Sequence, residues 1–111
     1  MTVTVKVLIP AKIAEATQTT QYTANGVTTI IDKFTATNYS ASAATISVNL
    51  VTVSGSAGDA NLITKTKTLQ PAEVYTFPEL VGQVLAPSGF ISTLAGTATS
   101  INIRASGREV S

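Results

Sequence analysis

Cysteine, histidine and tryptophan are all missing from this 111-residue sequence. Without cysteine there is no disulfide framework, no thiolate nucleophile and no thiolate metal ligand. Without histidine, Ser-His and Cys-His catalytic arrangements and imidazole-rich metal sites are excluded. Charge is scarce too: 7 Lys and Arg and 6 Asp and Glu make up 12 % of the chain, about half the usual share. The net charge is +1, and the basic residues Lys6, Lys12, Lys33, Lys65, Lys67, Arg104 and Arg108 are scattered, so no electrostatic footprint for nucleic acid is visible. Met1 to Pro10 alternates Thr and Val instead of placing a basic region before an apolar core, and no apolar run approaches the ~18 residues of a membrane span. Neither a classical export signal nor a membrane span is expected.

What is present is threonine above all, followed by Ala, Val, Ser and Ile, with 44 % of the chain apolar. Branched side chains favour the pleated, half-buried surface of a strand over a helix. The length suits a single domain, 1–111, with one core. Its surface must be made mostly of Thr, Ser, Asn, Gln and Ala, with little like-charge repulsion to keep copies apart, which points to a subunit of an assembly.

Along the chain, Thr2 to Leu8 alternates with Val3, Val5 and Val7 on one face, and Pro10 ends the ladder by removing a donor. Residues 1–10 are therefore expected as a first strand, either paired within the domain or extended as an arm. Ala11 to Thr20 reads as a loop or short helix. Gln21–Ala24, Asn25-Gly26 and Val27–Thr37 read as strand, two-residue turn and strand, because Asn-Gly accepts the positive φ values of a tight hairpin. In the second of these strands Ile30, Phe34 and Ala36 share a face, with Asp32 the exception. Ala44, Ile46, Val48 and Leu50 alternate against Thr45, Ser47 and Asn49 in the cleanest half-buried pattern of the chain. Ser54 to Asn61 is a Gly-rich loop. Leu62 to Leu69 carries Lys65 and Lys67 in the manner of a guarded edge strand. Pro71 turns the chain into a short strand, Val74–Phe77, and Pro78 suits the start of one helical turn, with Leu80 and Leu85 capping the core. Phe90–Leu94 and Ser100–Ala105 form a last pair joined across Ala95-Gly96-Thr97. Seven to eight short strands separated by turns predict an all-β, single antiparallel β-sandwich, jelly-roll-like.

No catalytic site, cofactor site or metal site emerges. The six carboxylates Glu15, Asp32, Asp59, Glu73, Glu79 and Glu109 show no spacing that pairs them, and Asp59 alone is too little for calcium. The expectation is a non-enzymatic protein with no small-molecule substrate. Sandwiches of this size can bind sugars on aromatic platforms, so a carbohydrate-binding module is the competing class. Phe34, Phe77 and Phe90 fall at core-like positions, which leaves Tyr22, Tyr39 and Tyr75 as candidates for a ligand or a subunit interface. With Val3, Val5, Val7 and Ile9 of the first strand, they are the candidate interface residues. Asn38-Tyr-Ser40 matches a glycosylation pattern by chance.

The segments Thr37–Leu50, Gly58–Asn61, Pro78–Gly82, Leu85–Gly89 and Ile103–Val110 resemble small tailed-bacteriophage proteins encoded among the virion genes. The resemblance covers most of the chain after Gln21, through turns and alternating strands. It implies a virion structural protein, either a capsid decoration (cement) protein that docks on the major capsid protein or a neck, tail or fibre-base accessory protein. It also implies a homo-oligomer, commonly a trimer, assembled in the host cytoplasm. It transfers no functional residue.

Overall fold

In a computed structural model describing residues 1–111, the chain forms nine strands. They are β1 (Val3–Ile13), β2 (Thr19–Thr23), β3 (Thr28–Asn38), β4 (Ala44–Val51), β5 (Leu62–Leu69), β6 (Val74–Thr76), β7 (Val84–Leu85), β8 (Phe90–Ala95) and β9 (Ile101–Val110). All pairings are antiparallel, and a single 3-10 turn spans Asp59–Asn61. One sheet has the order β1-β9-β3-β6, with β7 also on β3; the other has the order β2-β8-β4-β5. Because β6 and β7 both lie along β3, they act as one interrupted strand. The pairs β1·β9, β2·β8, β3·β6/β7 and β4·β5 then make a ribbon folded in half at the β4–β5 loop and wound across two sheets. That winding is the jelly roll.

The count is nine strands instead of seven to eight because the segment expected as a helical turn ends in β7. Two successive tight turns, Leu80 N–H to Phe77 O and Gln83 N–H to Leu80 O, bring Val84 and Leu85 back onto Ile30 and Thr29. Both expected local hairpins are absent. Asn25-Gly26 is a turn, with Gly26 at φ +72°, but it passes the chain from β2 in one sheet to β3 in the other. Gly96 lies in a similar crossing between β8 and β9. A turn residue reports that the chain reverses, not which sheet receives it.

β-Bulges explain where simple alternation fails. Asp32 is the extra residue between Ile31, which faces Gly107, and Lys33, which faces Ser106. A bulge reverses the side-chain alternation, so Ile31 fills the core instead of Ile30, while Phe34 and Ala36 remain inside as expected. Leu8 is the extra residue against Ser106 and Ala105, which lets Leu8 and Ile9 both be buried in succession. Beyond it β1 continues through Pro10 to Ile13, as an edge strand can, because a proline at a bulge gives up no needed donor. Ser47 faces two residues, Lys65 and Thr66, and its Oγ accepts the Thr66 N–H at 2.8 Å. Thr66 sits at φ +44° there.

The core between the sheets is one cluster that includes Ile9, Ile31, Phe34, Ile46, Val48, Leu69, Phe77, Leu80, Ile91, Ile101 and Ile103. Phe34 and Phe77 meet edge to face at 4.8 Å, and Tyr75 meets Phe77 at 4.6 Å. Phe90, expected at a core position, pairs with Val51 on the outer side of its sheet and is half-buried instead. Leu80 and Leu85 close one end of the core.

Candidate functional site

β1 lies at the edge of its sheet, paired only to β9. Val3, Val5 and Val7 project from the outer face and are 54 %, 84 % and 42 % exposed. Residues paired across a sheet share a face. The register therefore lays a straight row, Val5, Arg108, Ile30 and Val84, across β1, β9, β3 and β7. Val84 is 58 % exposed and Ile30 half-buried. Arg108 lies in the middle of this apolar stripe, where its methylenes can lie along the valines while its guanidinium reaches past them. It grips Asp32 with Nε and Nη2 at 3.0 and 2.9 Å. The guanidinium holds the Asp32 carboxyl below its ordinary range, and the carboxylate raises Arg108 in return. Farther along the same face Lys33, Thr35, Arg104, Ala105 and Ser106 line a shallow depression of about 240 Å³. Neither Lys33 nor Arg104 has an acidic partner; the three ion pairs of the chain use Lys6, Lys12 and Arg108. The outer face thus joins an apolar stripe to two free cations.

The other residues singled out from sequence are dispersed. Ile9 is fully buried and offers nothing to a partner. Tyr22 is a core residue, not a surface lid: its hydroxyl donates to Glu109 and accepts from Thr29 at 2.7 Å. Tyr75 is half-buried, with Lys67 Nζ 4.7 Å over its ring and its hydroxyl donating to Glu79 at 2.8 Å. Only Tyr39, 48 % exposed, stands in solvent. Val84 and Ile30 were missed by sequence reasoning. Val84 lies in a two-residue strand, too short to show a period, and Ile30 reaches the outer face only because of the bulge at Asp32.

A second concavity, about 210 Å³, opens on the outer face of the other sheet and is lined by Gln18, Ser47, Asn49, Asp59, Lys65 and Thr66, among others. No ring lines it. The Asn49 amide is spent on structure: it donates to Gly58 O at 3.0 Å and Asn61 Oδ1 at 2.7 Å, and accepts from Gln18 at 3.3 Å. Asn61 Nδ2 donates to Ser56 O at 2.9 Å. The cleft is therefore built around the anchoring of the Ser54–Asn61 loop, with no stacking platform for a sugar.

The carboxylates are held singly, by different partners. Lys12 and Gln21 donate to Glu15 at 2.9 and 2.8 Å and lower it. Tyr22 and then Lys6 lower Glu109. For Glu79, burial works upward but is outweighed by the Thr64 and Tyr75 hydroxyls. Burial, with Glu109 beside it, pushes the Tyr22 hydroxyl up to about 12. These directions set a pH profile. A carboxylate whose folded pKa is depressed adds stability above its unfolded value and loses it as pH falls through the folded one. The melting temperature is expected to fall below about pH 4.3, the ordinary Glu value. A raised phenol works oppositely: Tyr22 stabilises the fold below about pH 10 and the effect is lost between there and about pH 12. Tyr22→Phe is expected to shrink the alkaline loss and, because its hydroxyl also lowers Glu109, to remove the Glu109 share of the acid limb while the Glu15 and Glu79 shares remain. An unchanged alkaline limb in that variant contradicts this role.

The chain matches no family model, no curated protein and no solved structure.

Proposed function

We propose that this chain is a non-enzymatic structural protein of a bacteriophage particle, a capsid decoration protein that lays the outer face of its β1-β9-β3 sheet on the shell. The observation that carries the reading is the exposed stripe Val3, Val5, Val7 and Val84 beside unpaired Lys33 and Arg104. Contiguous apolar surface on a charge-poor protein marks an interaction site. The two cations select an acidic protein surface, here that of the major capsid protein, and orient the subunit on it. The resemblance to tailed-phage virion proteins supplies the particle. A rigid sandwich that spans neighbouring capsid subunits stabilises the shell without any chemical step.

Mixed with purified shells of the capsid protein encoded beside it, the chain is expected to co-sediment. Val84→Asp puts a carboxylate in the apolar stripe, away from the β1 edge, and is expected to abolish co-sedimentation with no change in the far-ultraviolet circular dichroism. Failure of the unmodified chain to pellet with shells sinks the decoration reading. Recovery with isolated tails or necks instead identifies the accessory role.

A further inference from the structure

The four sheet edges are unequally defended. β5 carries Lys65 and Lys67 and is distorted by the bulge at Lys65 and Thr66. β2 has five residues and a register shift at Gln21. The β6/β7 edge is broken by the turns from Pro78 to Gly82. Lysines, bulges, prolines and short length are the usual means by which an edge avoids pairing with another chain. β1 differs: its lysine in this stretch, Lys6, is engaged by Glu109, Val3 to Val7 is regular in its pairing with β9, and all five residues are exposed although they lie within a strand. The distortions and Pro10 come only after Val7.

The backbone of this segment is aimed outward at every second residue. Thr2 and Ser111 exchange both of their N–H to O bonds, at 2.8 and 2.9 Å. In an antiparallel ladder such pairs alternate with pairs that do not bond to each other. Val3, Val5 and Val7, opposite Val110, Arg108 and Ser106, are therefore the residues whose N–H and C=O groups point away from β9. We propose that the free edge of β1 pairs with β1 of a second copy, antiparallel about a twofold axis at Val5, joining the two sheets into one. In that register Val5 faces Val5, and Val3 faces Val7 in both directions, so each free N–H meets a free C=O. Thr4 faces Lys6, whose ammonium already bonds Glu109 at 3.4 Å, so no like charges oppose one another. A register centred on Lys6 sets two ammonium groups face to face. The occupant is a second copy because the segment is complementary to itself in hydrogen bonding, shape and charge. The inference rests on this edge alone and holds whether or not the chain belongs to a virion. It gives a twofold pair where the resemblance implies a trimer.

The chain has no cysteine, so single-cysteine variants read the register directly. Facing residues in bonded pairs stand about 5.5 Å apart between Cα atoms, within disulfide reach. Val5→Cys is expected to form a covalent dimer on mild oxidation. Val3→Cys and Val7→Cys are each expected to stay uncrosslinked alone, since each stands four residues from its own mate, about 13 Å at strand rise, but to crosslink when mixed. By sedimentation equilibrium the unmodified chain is expected to reach twice its 11.4 kDa mass. Val5→Pro removes only an N–H that faces solvent in the single copy, and is expected to return the mass to that of one chain with the circular dichroism unchanged. An unmodified chain that stays monomeric at the highest concentration reached overturns the proposal. So does a trimer that survives Val5→Pro, or crosslinking of Val3→Cys alone as readily as Val5→Cys.

Discussion

Phe34→Ala is expected to lower the unfolding free energy by about 3 to 5 kcal/mol, the range for emptying a buried aromatic site. Phe34 is fully buried on β3, the strand that touches β9, β6 and β7. Its ring supports Phe77 at an interplanar angle of 70°, and Phe77 supports Tyr75. The backbone joins them too, Phe77 N–H donating to Phe34 O at 3.0 Å. Removing the ring therefore leaves a cavity and also frees the segment after β6 that closes the core. An edge-to-face aromatic pair contributes about 0.5 to 1.5 kcal/mol beyond its buried area, so the upper half of the range is expected. A domain is stable by only about 5 to 15 kcal/mol, which makes this loss a large share. Urea unfolding checks it: the midpoint should fall with the slope unchanged. A loss under about 1 kcal/mol, ordinary for a surface change, contradicts the packing described.

Gly107→Ala tests the backbone instead of the core. Gly107 lies in β9, between Lys6 of β1 and Ile31 of β3, where the bulge at Asp32 begins. A Cβ there stands 2.1 Å from the Ile30 carbonyl oxygen and 2.9 Å from Leu8 Cδ1. Carbon and oxygen ordinarily approach no closer than about 3.3 Å, so β9 and β3 must separate. Replacing glycine by alanine in an unstrained strand gains about 0.5 to 1 kcal/mol through the unfolded chain. The clash reverses that sign. Overpacking costs about 1 to 3 kcal/mol and more where backbone must move, and each kcal/mol lowers the melting temperature by about 4 to 8 °C in a domain of about this size. A fall of about 10 °C or more is expected on that scale. Gly96→Ala is the internal comparison, since its Cβ meets a rotatable group, Thr45 Oγ1, at 2.2 Å. It should cost clearly less; equal losses contradict the backbone origin of the Gly107 effect.

The fold class is legible in the sequence because period-2 patterning survives wherever a strand is regular. From Ala44 to Val48 the alternation of the core face is visible residue by residue, since β4 runs between β8 and β5 with its side-chain order intact. Ile30 and Asp32 show the limit. A one-residue bulge reverses the faces, and nothing in Ile-Ile-Asp-Lys states which isoleucine turns inward until Gly107 is known to lie opposite. The hairpins expected at Asn25-Gly26 and Gly96 fail for a topological reason. In this winding the chain usually changes sheets between successive strands, and β4–β5 is the one adjacent pair that also bonds. Of the candidate site, Val3, Val5 and Val7 are legible as one face of a strand. That this face is the outer one follows only from the register with β9, and Val84 joins it through a turn no local pattern announces. Tyr22 illustrates the opposite error, because its polar surroundings are assembled from Thr29 and Glu109, the latter 87 residues away.

The pairing of β1 with β9 has a kinetic consequence. Lys6 and Glu109 meet across 103 residues of sequence, and β9 is also the strand that links β1 to β3. During synthesis β1 emerges 103 residues ahead of its partner, and closing so long a loop early is entropically costly. Folding dominated by such distant contacts is slow, in the millisecond-to-second range typical of sandwiches. Throughout that interval Val3 to Val7 is an unsheltered apolar strand. Crowded nascent copies are therefore most vulnerable to exchanging first strands, with β1 of one chain captured by β9 of another before its own arrives.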